Sequence, residues 1–120
     1  MPLFQRELII ARRARQAVDG LIGENSKKDE IVTHLESLPT FILQNGLLQT
    51  VAFLQGKGGL EGDICNALNQ FLFPPEGRSA LLSYLTTDLH DSREYVRLQS
   101  LAIEYAVWMK RIAVAVYKNV

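Results

Sequence analysis

The sequence predicts an all-α protein built as one compact helical bundle of about six to seven helices, ending in a long C-terminal helix. Three observations lead there. Apolar residues recur at three- and four-residue spacing through most of the chain. No run of useful length alternates apolar and polar residues as a half-buried strand would. Glycines and prolines fall between the periodic segments rather than within a regular turn-rich pattern.

The elements follow in order. Leu3 to Ile22 reads as the first helix, with Phe4, Ala11, Ala14, Val18, Leu21 and Ile22 on one face, closed by Gly23 and Asn25. Ser26 is a candidate N-cap for a second helix, in which Ile31, Val32, Leu35 and Leu38 repeat at helical spacing. Pro39 disfavours helical geometry at the residue before it, so that helix is expected to end at Leu38. Asn45-Gly46 then splits a short helix, about 39–44, from a longer one, about 47–55, and Gly56, Gly58 and Gly59 end the run.

Beyond the glycines, Leu60, Ile64, Ala67, Leu68, Phe71 and Leu72 form another amphipathic face, stopped by Pro74-Pro75. Leu81, Leu82, Tyr84 and Leu85 make a short element. Asp91 with Glu94 three residues later resembles a capping box at the start of the last helix, about 92–118. Leu98, Leu101, Ala102, Tyr105, Met109, Ile112 and Val116 form its core stripe. Val96, Ile103, Val107 and Val114 form a second stripe on the opposite side, with Arg93, Arg97 and Arg111 between the two. A helix apolar on two sides is either sandwiched inside the domain or offers one side to a partner.

The uncharged segment 37–56 is long enough to raise two other readings, and both fail. A bilayer span of that length would bury Gln44, Asn45, Gln49 and Gln55 in hydrocarbon at a cost of several kcal/mol. A phosphate loop needs Ser or Thr after Gly56-Lys57, where Gly58 stands, and a glycine five positions before Gly56, where Val51 stands.

The chain has 120 residues, expected to form a single domain, 1–120. Apolar residues at 48% and charged residues at 22% exclude a disordered chain. Thirteen basic and thirteen acidic residues cancel, so total charge does not indicate a strongly basic nucleic-acid binder. The distribution is uneven: residues 1–18 carry four bases and one acid, residues 105–120 three bases and no acid, and the middle six bases and twelve acids. If the two ends pack together, a basic face arises on a neutral protein. The lone Cys65 allows no internal disulfide and fits a reducing, cytoplasmic setting. The first residues lack a signal-peptide core, because Arg6 and Glu7 interrupt the apolar positions.

Catalytic patterns are absent. His34 and His90 are the two histidines, and neither shares a helix face with a Cys, His or carboxylate at metal-ligand spacing. His90-Asp91 reads as a turn and N-cap, and Cys65 as a buried thiol with no cation nearby. The expectation is a protein that is not an enzyme and uses no cofactor, metal or small-molecule substrate.

Two stretches together carry a family resemblance. "LPTFILQNGLLQTVAFLQGKGG" (38–59) has the Leu38-Pro39 pair, the Asn45-Gly46-Leu47 break, the Ala52-Phe53 pair and the terminal Lys57-Gly58. "REYVRLQSLAIEYAVWMKRIAVA" (93–115) has Tyr95 and Arg97 early and Trp108-x-Lys110-Arg111 late. In order and spacing this is similar to the small helical subunit of the type III-B CRISPR (Cmr) RNA-targeting effector complex. The resemblance implies a cytoplasmic, non-catalytic antiviral-defence protein. It would stack as several copies beside the backbone subunits and help hold the guide and target RNA. Phosphate contact with an A-form duplex needs only cationic side chains. The candidates are Arg13, Lys57, Arg93, Arg97, Lys110 and Arg111. The resemblance places Lys57, Lys110 and Arg111 in family-like motifs, and the rest follow from charge and helix phase. Trp108 flanks the core stripe and reads as core or interface. The alternative is a helical protein-binding adaptor, or the small subunit of another CRISPR type, with Val96, Ile103, Val107 and Val114 as its interface.

Overall fold

The computed structural model describes residues 3–24, 27–73 and 80–118. They form five α-helices: α1 (Leu3–Glu24), α2 (Lys28–Lys57), α3 (Gly59–Leu72), α4 (Ala80–Ser83) and α5 (Ser92–Ile112). α4 continues into a π-helical turn, Tyr84–Asp88, and α5 into another, Ala113–Tyr117. Each π turn closes with a five-residue backbone bond, from Leu89 N to Tyr84 O and from Lys118 N to Ala113 O. Among the described residues there is no strand, as the periodicity predicts. Ser26, Asn25 and Pro74-Pro75, named above as helix boundaries, lie outside the described residues.

The helix count is five because Pro39 does not stop the second helix and because α2 counts as one helix across its break at Gly46. Proline inside a helix costs about 3 kcal/mol through a lost hydrogen bond and a ring clash. Ile31, Leu35, Leu38 and Ile42 follow one another at spacings of four, three and four, and each is at most 3% exposed. Burying such side chains stabilises by about 1.5–3 kcal/mol each. Continuing the helix keeps that line intact, and the gain exceeds the proline penalty.

The break at Gly46 is present. Gly46 has φ 84° and ψ 160°, a region essentially reserved for glycine. The chain turns sharply there. Phe41 and Phe53 are twelve residues apart, about 18 Å along a straight helix. Their ring centroids nonetheless lie 5.2 Å apart, tilted by 33°. At the far end of α2, Gly58 takes φ 67° as the helix stop.

The backbone divides into two compact units whose boundaries fall inside α2 and α5. The first comprises residues 1–39 and 104–120. In it, α1 buries Ile10, Ala14, Val18 and Leu21, and the last turns of the chain bury Tyr105, Ala106, Met109 and Ala113. Phe4 is 73% exposed, contrary to its expected place on the α1 core face. It lies in the first turn of α1, six residues before Ile10, where the buried line of that helix begins. Polar ties hold the unit: Arg6 Nη1 donates to Glu104 Oε2 at 2.5 Å, Lys118 Nζ to Glu36 Oε2 at 2.9 Å, and Tyr117 Oη to Asp19 Oδ1.

The second unit, residues 40–103, buries Ile42, Leu47, Val51, Leu54, Ile64, Cys65, Leu68, Leu81, Leu85, Leu98 and Ala102. Phe73 meets Tyr84 edge-on, with ring centroids 5.1 Å apart. α5 starts with one half of the capping box that its sequence suggests: Asp91 Oδ1 accepts a bond from the Arg93 amide at 2.9 Å, while Glu94 is engaged elsewhere. The Glu94 carboxylate takes two bonds from Arg97, at 2.6 and 3.0 Å.

Candidate nucleic-acid and partner surfaces

Breaking α2 at Gly46 leaves backbone amides that the ordinary helical ladder would have used. In a buried setting each must find a partner. Two side chains of α5 supply them. Gln99 Oε1 accepts from Leu47 N at 2.8 Å, and Tyr95 Oη accepts from Leu48 N at 3.0 Å. From the α2 side, Thr50 Oγ1 donates to the Gly46 carbonyl at 2.8 Å and Asn45 Nδ2 to the Phe41 carbonyl at 3.1 Å. A Cβ on Gly46 would stand 3.3 Å from Tyr95 Oη and 3.5 Å from Gln99 Oε1. The two stretches singled out in the sequence thus meet here. One provides a broken helix, and the other provides its cap through Tyr95 and Gln99, one helical turn apart. The sequence marks the break, but nothing in it reveals that Gln99 and Tyr95 serve the break.

The six cationic candidates divide between the two units. In the second, Arg93 and Arg97 occupy the first turns of α5, and Lys57 the last turn of α2. Arg93 has a side chain 91% exposed and reaches Asp91 at 3.4 Å. Arg97 is held by Glu94, and that guanidinium in turn keeps the Glu94 carboxyl below the usual carboxylate range. Lys57 Nζ lies 5.6 Å from the centroid of the Phe53 ring. It also complements the negative end of its helix.

In the first unit, Lys110 is exposed on α5, and Arg111 sits over the Trp108 ring at 5.7 Å. Arg13 is exposed to solvent only in part through its place on α1, and its charge is felt by the buried Tyr105 hydroxyl. Burial raises that phenol to about 12.

The second stripe of α5 is uneven in exposure. Val96 is 60% and Val114 37% exposed, while Ile103 and Val107 are half-buried. Val107 and Arg111 also line a groove of the first unit with Glu7, Glu104 and Trp108. Sequence reasoning placed Arg111 and Val107 in separate groups and did not foresee that groove. The spacing of Glu104, Trp108 and Arg111 at four and three residues was the available signal.

Cys65 is buried, its Sγ 3.9 Å from the Val51 carbonyl, and burial pushes its thiol up. Among the described residues, no three His, Cys, Asp or Glu side chains cluster as metal ligands. No described helix is long and apolar enough to cross a membrane.

Comparison with known proteins gives a consistent set of matches. The family model described as CRISPR-associated protein (Cas_Cmr5) matches residues 6–116, a span containing both stretches and the Gly46 cap. The CRISPR system Cmr subunit Cmr5 of Thermotoga maritima is 29% identical over 112 residues, covering 92% of this chain and 84% of that protein. No solved structure matches the chain.

Proposed function

The chain belongs to the Cmr5 family of CRISPR-associated proteins, a small subunit of the type III-B effector complex, and from that premise we propose how it acts there. It works in the cytoplasm as a non-catalytic subunit, stacked beside the backbone subunits and copies of itself. Its cationic side chains help hold the duplex of guide and target RNA. The observation that carries the reading is the family match across residues 6–116, which takes in every proposed contact residue.

The chemistry of those residues agrees with the role. Guide pairing supplies sequence recognition, so the subunit needs only to meet phosphates. Arginine and lysine do this without reading bases, and Arg93, Lys110 and Arg111 are exposed. Zero net charge suits a subunit that stacks on copies of itself, since strongly like-charged copies would repel. Isolated copies then bind RNA weakly, and assembly raises affinity through effective concentration.

The test is target-RNA retention by the reconstituted complex carrying Arg97→Glu and Arg111→Glu in this subunit. Retention should fall, and its log–log salt slope should shrink by roughly 0.7–0.9 for each phosphate that is no longer neutralised. Circular dichroism checks that the variant remains folded. Unchanged retention would remove these residues from the RNA-holding surface.

The exposure of Val96 and Val114 favours a second role for α5, as the face that meets neighbouring subunits. Val96→Asp should leave stability within about 0.5 kcal/mol of the parent, because the site is exposed, yet prevent incorporation into the complex. Normal incorporation would exclude that face.

A further inference from the structure

We propose that the groove lined by Glu7, Glu104, Val107, Trp108 and Arg111 is a binding site for an unpaired RNA base, with guanine preferred. This rests on the RNA-holding role above and deepens it, because that role requires phosphate contacts alone. Trp108 is half-buried, so part of its indole forms a wall of the groove. Base–indole stacking is worth about 1–3 kcal/mol and tolerates any base. The Arg111 guanidinium lies over that ring, 5.7 Å from its centroid, and puts a cation beside the indole for the phosphate that adjoins the base.

The charges of the groove select among occupants. Glu104 is already neutralised by Arg6 at 2.5 Å. Glu7 and Arg111 then balance, leaving a lining with no net charge. A bare phosphate would be opposed by Glu7, and a lysine-rich segment by Arg111. An apolar side chain would desolvate the Glu7 carboxylate without giving it a donor, which is unfavourable. A neutral base with N–H donors satisfies the carboxylate and stacks on the indole. Guanine offers its ring N–H and amino group together to the two carboxylate oxygens, and uracil offers one ring N–H. The base must be unpaired, because Watson–Crick pairing consumes that donor edge.

Trp108 is the sole tryptophan, so indole fluorescence, excited at wavelengths the four tyrosines do not absorb, reports on this groove alone. The experiment titrates the full chain with the single-stranded pentamers UUGUU and UUUUU, each fluorescently labelled so that anisotropy reports binding independently. UUGUU should quench Trp108 and bind several-fold more tightly than UUUUU. The ratio between the two should change little from 50 to 200 mM salt, while both affinities fall. Glu7→Gln, which removes one acceptor oxygen, should bring the ratio close to one while quenching persists. Binding by anisotropy without Trp108 quenching, or with equal affinities for the two pentamers, would overturn the base site and leave the RNA-holding role standing. Absence of binding to either pentamer and to an A-form duplex would overturn both. Quenching by the backbone subunits in the absence of RNA, with none by the pentamers, would assign the groove to a protein partner and overturn the proposal.

Discussion

Replacing Gly46 by alanine separates the physics of the α2 break from ordinary helix propensity. Gly46 holds φ 84° and ψ 160°, and a Cβ there would lie 3.3 Å from Tyr95 Oη. Alanine has two options. It can keep this backbone at a strain of about 1–3 kcal/mol. Or it can relax toward helical angles, which returns the Leu47 and Leu48 amides to the helical ladder but takes the Gln99 and Tyr95 oxygens' donors away, at about 1–3 kcal/mol for each acceptor left unpaired. A less flexible unfolded chain returns about 0.4–1 kcal/mol. The expected net loss is about 2 kcal/mol. Gly56 supplies the control in the same helix: its φ is not positive, and a Cβ there meets nothing within 4 Å. Gly56→Ala should therefore stabilise, by about 0.5–1 kcal/mol. Urea denaturation followed by circular dichroism measures both. With a slope of about 2 kcal/mol/M, the midpoint moves down by about 1 M for Gly46→Ala and up by about 0.3 M for Gly56→Ala. If both variants shift in the same direction, or Gly46→Ala lies within about 0.5 kcal/mol of the parent, the strain and capping account is wrong.

Two further outcomes follow from buried titratable groups. Burial raises Tyr105 from 10.0 to about 12, so its contribution to stability is complete below pH 10 and is lost as pH climbs toward 12. In an absorbance titration of the phenolates, Tyr105→Phe should delete a step near pH 12, and loss of an earlier step instead would contradict the burial. Cys65 should react with a thiol reagent roughly a hundredfold or more slowly in the native chain than in urea, since attack requires opening of the core. Comparable rates in the two conditions would show the thiol to be accessible.

Sequence periodicity by itself determined the helical class, because a 3.6-residue repeat can bury one face only as a helix. It also determined the punctuation that local chemistry controls. Asp91 caps α5 through its own backbone neighbour, Gly58 stops α2, and Gly46 breaks it; each depends on residues within a few positions. The exposure of Arg93 and Arg97 was legible from helix phase, whereas Lys57, Lys110 and Arg111, also exposed, were named through the motifs that carry the family resemblance. What lay beyond the sequence was every outcome settled by distant partners. Pro39 is a local stop signal that lost to burial of Leu35, Leu38 and Ile42. Gln99 and Tyr95 look like ordinary polar positions until α2 turns its broken end toward them. Glu7 and Trp108, a hundred residues apart, share a groove because α1 and the end of α5 pack in one unit. Local energies of about 1–3 kcal/mol set where helices start and stop. The summed burial of many side chains is larger, so tertiary structure decided which of those signals to obey and which side chains to bring together.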